Sequence, residues 1–270
     1  MRTVIGKVVI VTGSAMGMGR ELTELFLRDG AKVVAWDLNA QALEKTVEEL
    51  KKINDTIYPY VIDITNQKKV FETAERVEKE VGPVAVLVNN AGIVAGGDFV
   101  KVPIEKHINV IDVNVNALMI CTYAFLPKMM DRGEGHIINM ASAAGLMGVP
   151  LMASYCASKF AVVGFSESLR LELIKRKYPQ IKITIVCPSI VTTGMFEGFK
   201  PPLLSPPLTP KQMAEKIYMG FKKDKVYVKE PFMVKTIPLM KALSTPDSFA
   251  KAARWSGVMS AMDTYVGREK

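Results

Sequence analysis

Histidine, cysteine and long apolar runs are what this sequence has least of. Its 270 residues include 2 histidines and 3 cysteines. Cys121, Cys156 and Cys187 stand singly with no Cys-x-x-Cys pair, and the histidines, His107 and His136, are well separated. Neither a disulfide framework nor a metal site is therefore expected, and the thiols read as small buried apolar groups. No Gly-x-Ser-x-Gly elbow occurs, which sets aside a serine hydrolase. No apolar run reaches the roughly 18 residues that span a bilayer, and no charged-then-apolar leader precedes the first strand pattern. Internal repeats and low-complexity tracts are also missing. The expectation is a soluble, cytoplasmic protein without a transmembrane segment.

What is present is an ordinary globular balance. Hydrophobic residues make up 49% and charged residues 23% of the chain, which argues against disorder. The length suits one large α/β domain over residues 1–270. A formal net charge of +8 is mild. It suits an anionic partner such as a dinucleotide, an acyl carrier or a lipid surface. Part of the excess, around Lys222-Lys223-Asp224-Lys225, reads as a solvated helix end. With no nucleic-acid motif beside it, no nucleic-acid partner is expected.

In chain order, short continuous apolar runs alternate with amphipathic helical patterns. Strands are expected at Lys7 to Thr12, Ala31 to Asp37, Tyr58 to Asp63, Val84 to Val88, His136 to Ala141 and Lys182 to Cys187, with a short last one at Val226-Tyr-Val. Between them lie helical patterns, including Ala40 to Ile53 capped by Asn39, Asn66 to Val81, and one long helix from about Pro103 to Met130 that carries Asn114 midway. Strands apolar on both faces, each followed by a helix, indicate a three-layer, doubly wound parallel sheet. After Thr193 the alternation stops. Residues 194–210 hold five prolines and two glycines and read as a loop inserted over a substrate, while residues 231–270 form a helical extension with Met233, Met240, Met259 and Met262 on apolar faces.

Gly13, Gly17 and Gly19 sit between the first strand and the first helix. There they let the chain turn tightly, let backbone approach a pyrophosphate, and let helix pack on strand. The helix amino terminus offers N–H groups and a positive dipole end. The Gly-x-x-x-Gly-x-Gly spacing also fits a plain turn. Asp37 ends the second strand, where an acid can bind both ribose hydroxyls of an adenosine and repel a 2′-phosphate, favouring NAD over NADP; a turn or cap acid is the other reading. Asp63, after the third strand, suits an adenine amino group or a turn. Tyr155 and Lys159 lie one helical turn apart on one face, with Ser142 at a strand end upstream. A tyrosine beside a lysine can act as an acid near neutral pH, because the cation stabilises the phenolate. Taken alone, Tyr155 also fits a core position and Ser142 a helix cap.

Thr12-Gly13…Gly17-Met18-Gly19, Asn89-Asn90-Ala91-Gly92, Asn114, Ser142, Tyr155-Cys-Ala-Ser-Lys159 and Pro188…Thr193 together resemble the short-chain dehydrogenase/reductase superfamily over about residues 5 to 195. Ser-Ala-Ala-Gly followed by Tyr-Cys-Ala-Ser-Lys-Phe-Ala resembles its branch of 17-beta-hydroxysteroid and retinol dehydrogenases, often anchored at the amino terminus, and no such anchor is expected here. Two departures are Ser189, where glycine is usual, and Met18, where isoleucine is common.

The resemblance implies a Rossmann-like fold and a catalytic set of Asn114, Ser142, Tyr155 and Lys159. In that set Tyr155 is the general acid/base and Lys159 lowers its pKa and holds the nicotinamide ribose. Ser142 orients the substrate oxygen, and Asn114 holds a water relaying protons to Lys159. It also implies a cofactor path over Gly13, Ser14, Gly17, Met18, Gly19, Asp37, Asp63, Ile64, Asn90, Ala91 and Gly92. That path ends at Pro188, Ile190 and Thr193 beside the carboxamide, although Thr193 could instead cap a following helix. A homodimer or homotetramer formed through the two longest helices is implied as well.

Residues 94–99, 143–152 and 194–208, with the methionine-rich tail, are expected to wall an apolar substrate pocket through Val94, Phe99, Leu146, Met147, Val149, Leu151, Met152, Met195, Phe196 and Phe199. A bulky hydrophobic alcohol or ketone such as a steroid, retinoid or lipid fits it. The competing readings are a 3-oxoacyl thioester reductase, for which NADP is the usual donor, and a non-catalytic NAD-sensing scaffold, which has no need of Ser142, Tyr155 and Lys159.

Overall fold

Continuous apolar runs give the strands. β1 (Val8–Thr12), β2 (Lys32–Asp37), β3 (Ile57–Val61), β4 (Val84–Asn89), β5 (Gly135–Met140), β6 (Ile181–Pro188) and β7 (Tyr227–Glu230) pair in parallel, in the order β3-β2-β1-β4-β5-β6-β7. The computed structural model describes residues 2–203 and 205–267. Position 204 of the expected substrate loop and residues 268–270 of the C-terminal extension lie outside the described residues.

Alternate residues of each strand serve opposite faces. Val9 and Val11 of β1 pack with Leu22 and Phe26 of α1 (Gly17–Arg28), Leu50 of α2 (Ala40–Lys51) and Ile217 and Phe221 of α7 (Pro210–Lys222). Val8 and Ile10 face the other way, toward Val77 of α3 (Gln67–Glu80), Leu118 and Phe125 of α5 (Ala117–Arg132) and Leu173 of α6 (Ala153–Lys175). The result is the expected three-layer, doubly wound sheet. Its order reverses between β1 and β4, which opens a crevice at the strands' carboxyl ends.

Local chemistry sets the boundaries. Asn39 caps α2 by accepting from Ala42 N at 3.0 Å, and Thr209 and Gln212 cap α7 reciprocally. β3 stops at Val61, short of the expected Asp63, because the Asp63 carboxylate turns the chain by accepting from Thr65 N (2.9 Å) and Thr65 Oγ1 (2.7 Å). The long helix runs on from α4 (Ile104–Ile111) into α5, joined by a π-helical turn at Asp112–Asn116 with Asn114 at its centre. Ile104–Arg132 is long and apolar enough to cross a membrane by length and composition, which counting uninterrupted apolar residues overlooks. Leu118, Cys121, Phe125 and Met129 spend that apolarity under the sheet, so it is a core helix. After β7 come α8 (Phe232–Leu243) and α9 (Pro246–Trp255).

His136 in β5 is fully buried. Thr184 Oγ1 donates to Lys225 O at 2.7 Å, so it accepts from His136 Nε2 at 2.8 Å, which leaves the lone pair on Nδ1. Asp224 Oδ1 lies 3.6 Å from Nδ1, but Arg2 Nε already holds that carboxylate oxygen at 3.0 Å. Burial, aided by the charges of Arg2 and Lys182, pushes the ring's pKa down from 6.5 to about 3. The unfolded chain therefore binds the extra proton between those values, and stability is lost as pH falls from about 6.5 toward 3. We expect the melting temperature of the wild-type protein to drop steadily between these limits and that of His136→Gln, lower at neutral pH, to respond less. Parallel slopes in calorimetry would refute the assignment.

Candidate active site

The crevice between β1 and β4 is built on glycine. Gly13 and Gly17 adopt left-handed φ of 65° and 57°. A Cβ on Gly19 would stand 1.9 Å from the Gly13 carbonyl oxygen, so α1 can approach β1 only with glycine there. Gly13, Gly17 and Met18 line the cleft, and the first turn of α1 carries no acidic side chain, which leaves the positive end of its dipole for an anion.

Further along, Asp37, Asp63, Ile64, Asn90, Ala91 and Gly92 line the same cleft with Trp36 and Leu38. Asp37 accepts from Ala15 N and Asn39 N, both at 2.9 Å, and thereby ties β2 to the glycine turn. Each of its oxygens keeps acceptor capacity for a further donor. Together the backbone cradle, the helix terminus and the acid at the end of β2 fit an adenine dinucleotide.

Three expected cofactor residues, Ser14, Gly19 and Ile190, do not line the cleft. Ser14 is fully buried and its hydroxyl donates to Trp36 O at 3.1 Å, so its side chain faces the sheet rather than the cleft. Gly19 serves packing, and Ile190 lines the neighbouring apolar chamber. Asn90 spends its amide on Thr12 O (2.9 Å) and Gly13 O (3.1 Å), bracing the turn. Thr12, whose hydroxyl accepts from both Asn90 N and Ala91 N at 3.0 Å, is the hub that the motif alone does not reveal.

Pro188 and Thr193 border the cleft's far end. Thr193 does not cap the following helix, α7, which begins at Pro210 under its own cap, Thr209. Instead its methyl would lie 3.2 Å from a Cβ on Gly17, over the start of α1.

The side chains singled out for chemistry converge where β4, β5 and α6 meet. Ser142 follows β5, caps a short 3₁₀ turn (Ala143–Gly145) by accepting from Ala144 N at 3.1 Å, and its hydroxyl donates to Pro188 O at 3.4 Å. Lys159, one turn along α6, donates to Met140 O at 2.8 Å, its ammonium 5.5 Å from the Tyr155 ring centroid. Asn114 grips Ile93 by accepting from its N–H at 2.8 Å and donating to its carbonyl at 2.9 Å, and donates to Ser158 Oγ at 3.0 Å. These direct bonds make Asn114 a backbone clamp, for which the π-helical turn presents the side chain.

A Cβ on Gly92 would lie 3.1 Å from Asn114 Oδ1 and 3.6 Å from Lys159 Nζ, so the cleft narrows to backbone between these two groups. Burial pushes the Tyr155 phenol above its ordinary value, opposed by the nearby Ser142 hydroxyl, and pushes Lys159 down from 10.5 to about 8. The lowering of Tyr155 expected from a neighbouring lysine is thus outweighed by desolvation.

Beyond Tyr155 lies an apolar chamber of about 260 Å³. Met147, Val149, Met152, Phe196 and Phe199 line it as expected. Its far wall is Met233, Val234, Ile237 and Met240 of α8 with Phe249 of α9, two helices remote in sequence whose contribution beyond the methionines is legible only in three dimensions. Five expected wall residues lie elsewhere. Leu146 turns into the core under the sheet because the 3₁₀ turn redirects it, and Val94 and Leu151 pack against the cluster of Tyr155 and Met262 without lining the chamber. Met195 borders the cofactor cleft, and Phe99 stacks on His107 at the surface, ring centroids 4.7 Å apart. Ser189, the departure from glycine, accepts from Ser205 Oγ at 2.8 Å and so ties the end of β6 to the proline-rich loop.

Lys159 is the least comfortable of these groups. Its folded value of about 8 lies below 10.5, so the unfolded chain binds more protons between those values. Stability therefore rises with pH through that window, and the full charging cost is present below pH 8. That cost is about 3 kcal/mol, partly offset by about 1–2 kcal/mol from the bond to Met140. Lys159→Met should abolish activity yet raise the melting temperature at pH 7 by about 2–4 °C. A lower melting temperature in calorimetry would contradict the buried-charge account.

The sequence model of a family described as short chain dehydrogenase matches residues 7–202. Human epidermal retinol dehydrogenase 2 is 38% identical over 272 residues, covering 100% of this chain and 88% of the relative. Retinol dehydrogenase 10 of Xenopus tropicalis is 34% identical, covering 100% and 87%. A short chain dehydrogenase/reductase from Burkholderia phymatum solved with NAD superposes with a TM-score of 0.81 at 27% identity, covering 90% of this chain and 95% of that one. One from Burkholderia cenocepacia solved with NADP gives 0.77 at 26% identity, covering 94% and 98%.

Proposed function

The chain belongs to the short-chain dehydrogenase/reductase family, oxidoreductases that act on CH–OH groups with NAD(P), and from that premise we propose that it interconverts a hydrophobic, retinoid- or steroid-like alcohol and its carbonyl compound with NAD. The observation that carries this reading is a shared wall: Ser142 and Tyr155 border both the dinucleotide cleft and the apolar chamber. The nicotinamide, when bound, supplies the hydride acceptor or donor.

The remaining work falls to the chain. Gly13, Gly17 and the start of α1 hold the pyrophosphate. Asp37 takes the adenosine ribose, with Asp63, Ile64, Asn90, Ala91 and Gly92 along the path. Pro188 and Thr193 close over the carboxamide end. Ser142 Oγ donates to the substrate oxygen and fixes it beside Tyr155, and Tyr155 Oη gives or takes the proton. Lys159 supplies positive charge near Tyr155 and a donor for the nicotinamide ribose. Asn114 keeps Ile93 and the floor of the cleft in place. The chamber's apolar walls, together with relatives named retinol dehydrogenases, support the substrate class. Exposed Tyr123, Phe160 and Leu171 on α5 and α6 support a homo-oligomer formed through those helices.

Nicotinamide absorbance with a panel of retinoid, steroid and polyol alcohols tests the proposal. Apolar alcohols should turn over with NAD, and NADP should be disfavoured by about tenfold or more, since one power of ten needs only about 1.4 kcal/mol of repulsion at Asp37. Preference for polyols would overturn the substrate class, and a strong NADP preference the cofactor assignment.

A further inference from the structure

The outer face of the C-terminal helices has a composition that the reaction does not explain. α8 contains no acidic residue, and its charged side chains are Lys235 and Lys241. Met233, Val234, Ile237 and Met240 face the chamber, while Phe232, Leu239 and Leu243 recur at i, i+7 and i+11 along the opposite side. They are 69%, 61% and 79% exposed, and Trp255 at the end of α9 is 76% exposed. A helix apolar all round is normally buried within protein or lipid. This one is covered on one side.

The surroundings indicate what covers the other. Across residues 231–267 the basic side chains Lys235, Lys241, Lys251 and Arg254 outnumber Asp247 and Asp263. Lys235 reaches Glu230 at 3.7 Å with its side chain 50% exposed and stands 5.6 Å from the Phe232 ring centroid, at the rim of the apolar stripe, while the Lys241 ammonium on the far side of α8 stands 5.1 Å from the Phe160 ring centroid. Apolar side chains flanked by cations, with an exposed tryptophan beside them, match the layering of an anionic bilayer interface: acyl chains below, acidic headgroups above, an amphipathic ring between. Met240 and Trp255 both line the chamber and are exposed, so the chamber reaches the surface at this patch.

We propose that α8 and α9 dock the protein peripherally on an anionic lipid surface, with Phe232, Leu239, Leu243 and Trp255 entering the interface and the basic side chains meeting headgroups. An apolar substrate would then enter the chamber from the bilayer; only this route rests on the reaction proposed above.

The test uses the full chain without substrate, so its outcome is independent of the reaction. The protein is mixed with phosphatidylcholine vesicles, with or without phosphatidylserine, and read by co-sedimentation and tryptophan emission. Of the 2 tryptophans, Trp36 is fully buried, so Trp255 reports the interface. The expected result is sedimentation with the phosphatidylserine vesicles that weakens about tenfold or more in high salt and on phosphatidylcholine alone, accompanied by a blue shift. The double variant Leu239→Asp/Leu243→Asp should lose both while keeping wild-type turnover of a short, water-soluble alcohol and wild-type mass on size exclusion. A Lys235→Glu/Lys251→Glu variant, which leaves the apolar stripe intact, should bind phosphatidylserine vesicles more weakly. No binding by the wild-type protein overturns the proposal, as does binding unaltered in the variants. A mass that halves when Leu239 and Leu243 are replaced does so too, because the face would then be a contact between copies of this chain.

Discussion

Replacing Tyr155 with phenylalanine is expected to lower turnover by about two to four orders of magnitude, the usual contribution of a positioned acid or base, or about 3–5 kcal/mol in barrier. The substitution deletes the hydroxyl alone. The ring keeps its edge-on contact with Phe196, centroids 5.7 Å apart, and its place among Met152, Cys156 and Met262. Ser142 keeps Pro188 O and Ala144 N as partners, so the melting temperature should move by no more than a few degrees. Dinucleotide affinity, read by fluorescence titration, should hardly change. Turnover near the wild-type rate would remove Tyr155 from the chemistry, whereas equal loss of binding and turnover would point to a collapsed site.

Gly19→Ala should do the reverse, damaging the fold and the cofactor site together. One methyl placed 1.9 Å from the Gly13 carbonyl oxygen and 2.6 Å from Asn90 Nδ2 cannot be absorbed by a side-chain rotation, because the first obstacle is backbone. Helix α1 must withdraw from β1 or the turn must open. Either route sacrifices contacts among Val9, Val11, Leu22 and Phe26. Overpacking of this severity costs about 3 kcal/mol or more, equivalent to a fall of roughly 6–12 °C for a chain of this size. Gly13 and Gly17 form the cradle itself, so dinucleotide binding should weaken in the same variant. A melting temperature within 2 °C of wild type, a small shift on the same scale, would show that the turn is softer than its geometry implies.

Much of this was readable from residue order. Strands apolar on both faces announced a covered parallel sheet, and the i, i+4 spacing put Tyr155 beside Lys159 on one helix. Other features depend on what lies nearby in space. Whether Lys159 lowers Tyr155 or is itself lowered is decided by burial, which spacing does not encode. The side chain of Ser14 sits in the glycine motif yet faces the sheet, because the turn hands its hydroxyl to Trp36. Leu146 and Val149 are close in sequence, but the 3₁₀ turn between β5 and α6 sends one under the sheet and the other into the chamber. The far wall of that chamber comes from α8 and α9, about 80 residues beyond Tyr155, and apolar residues on a tail helix do not announce which face they serve.

The π-helical turn at Asp112–Asn116 also bears on how this stretch tolerates changes in length. Such a turn amounts to one extra residue in an α-helix, and each residue advances the helix by about 100°. The wide turn absorbs that advance, so Leu118, Cys121, Phe125 and Met129 keep their places in the core. Removing one residue between Asp112 and Asn116 would restore a regular helix without turning them out, and its cost would fall on the clamp that Asn114 holds on Ile93. The extra residue serves the cleft and not the core.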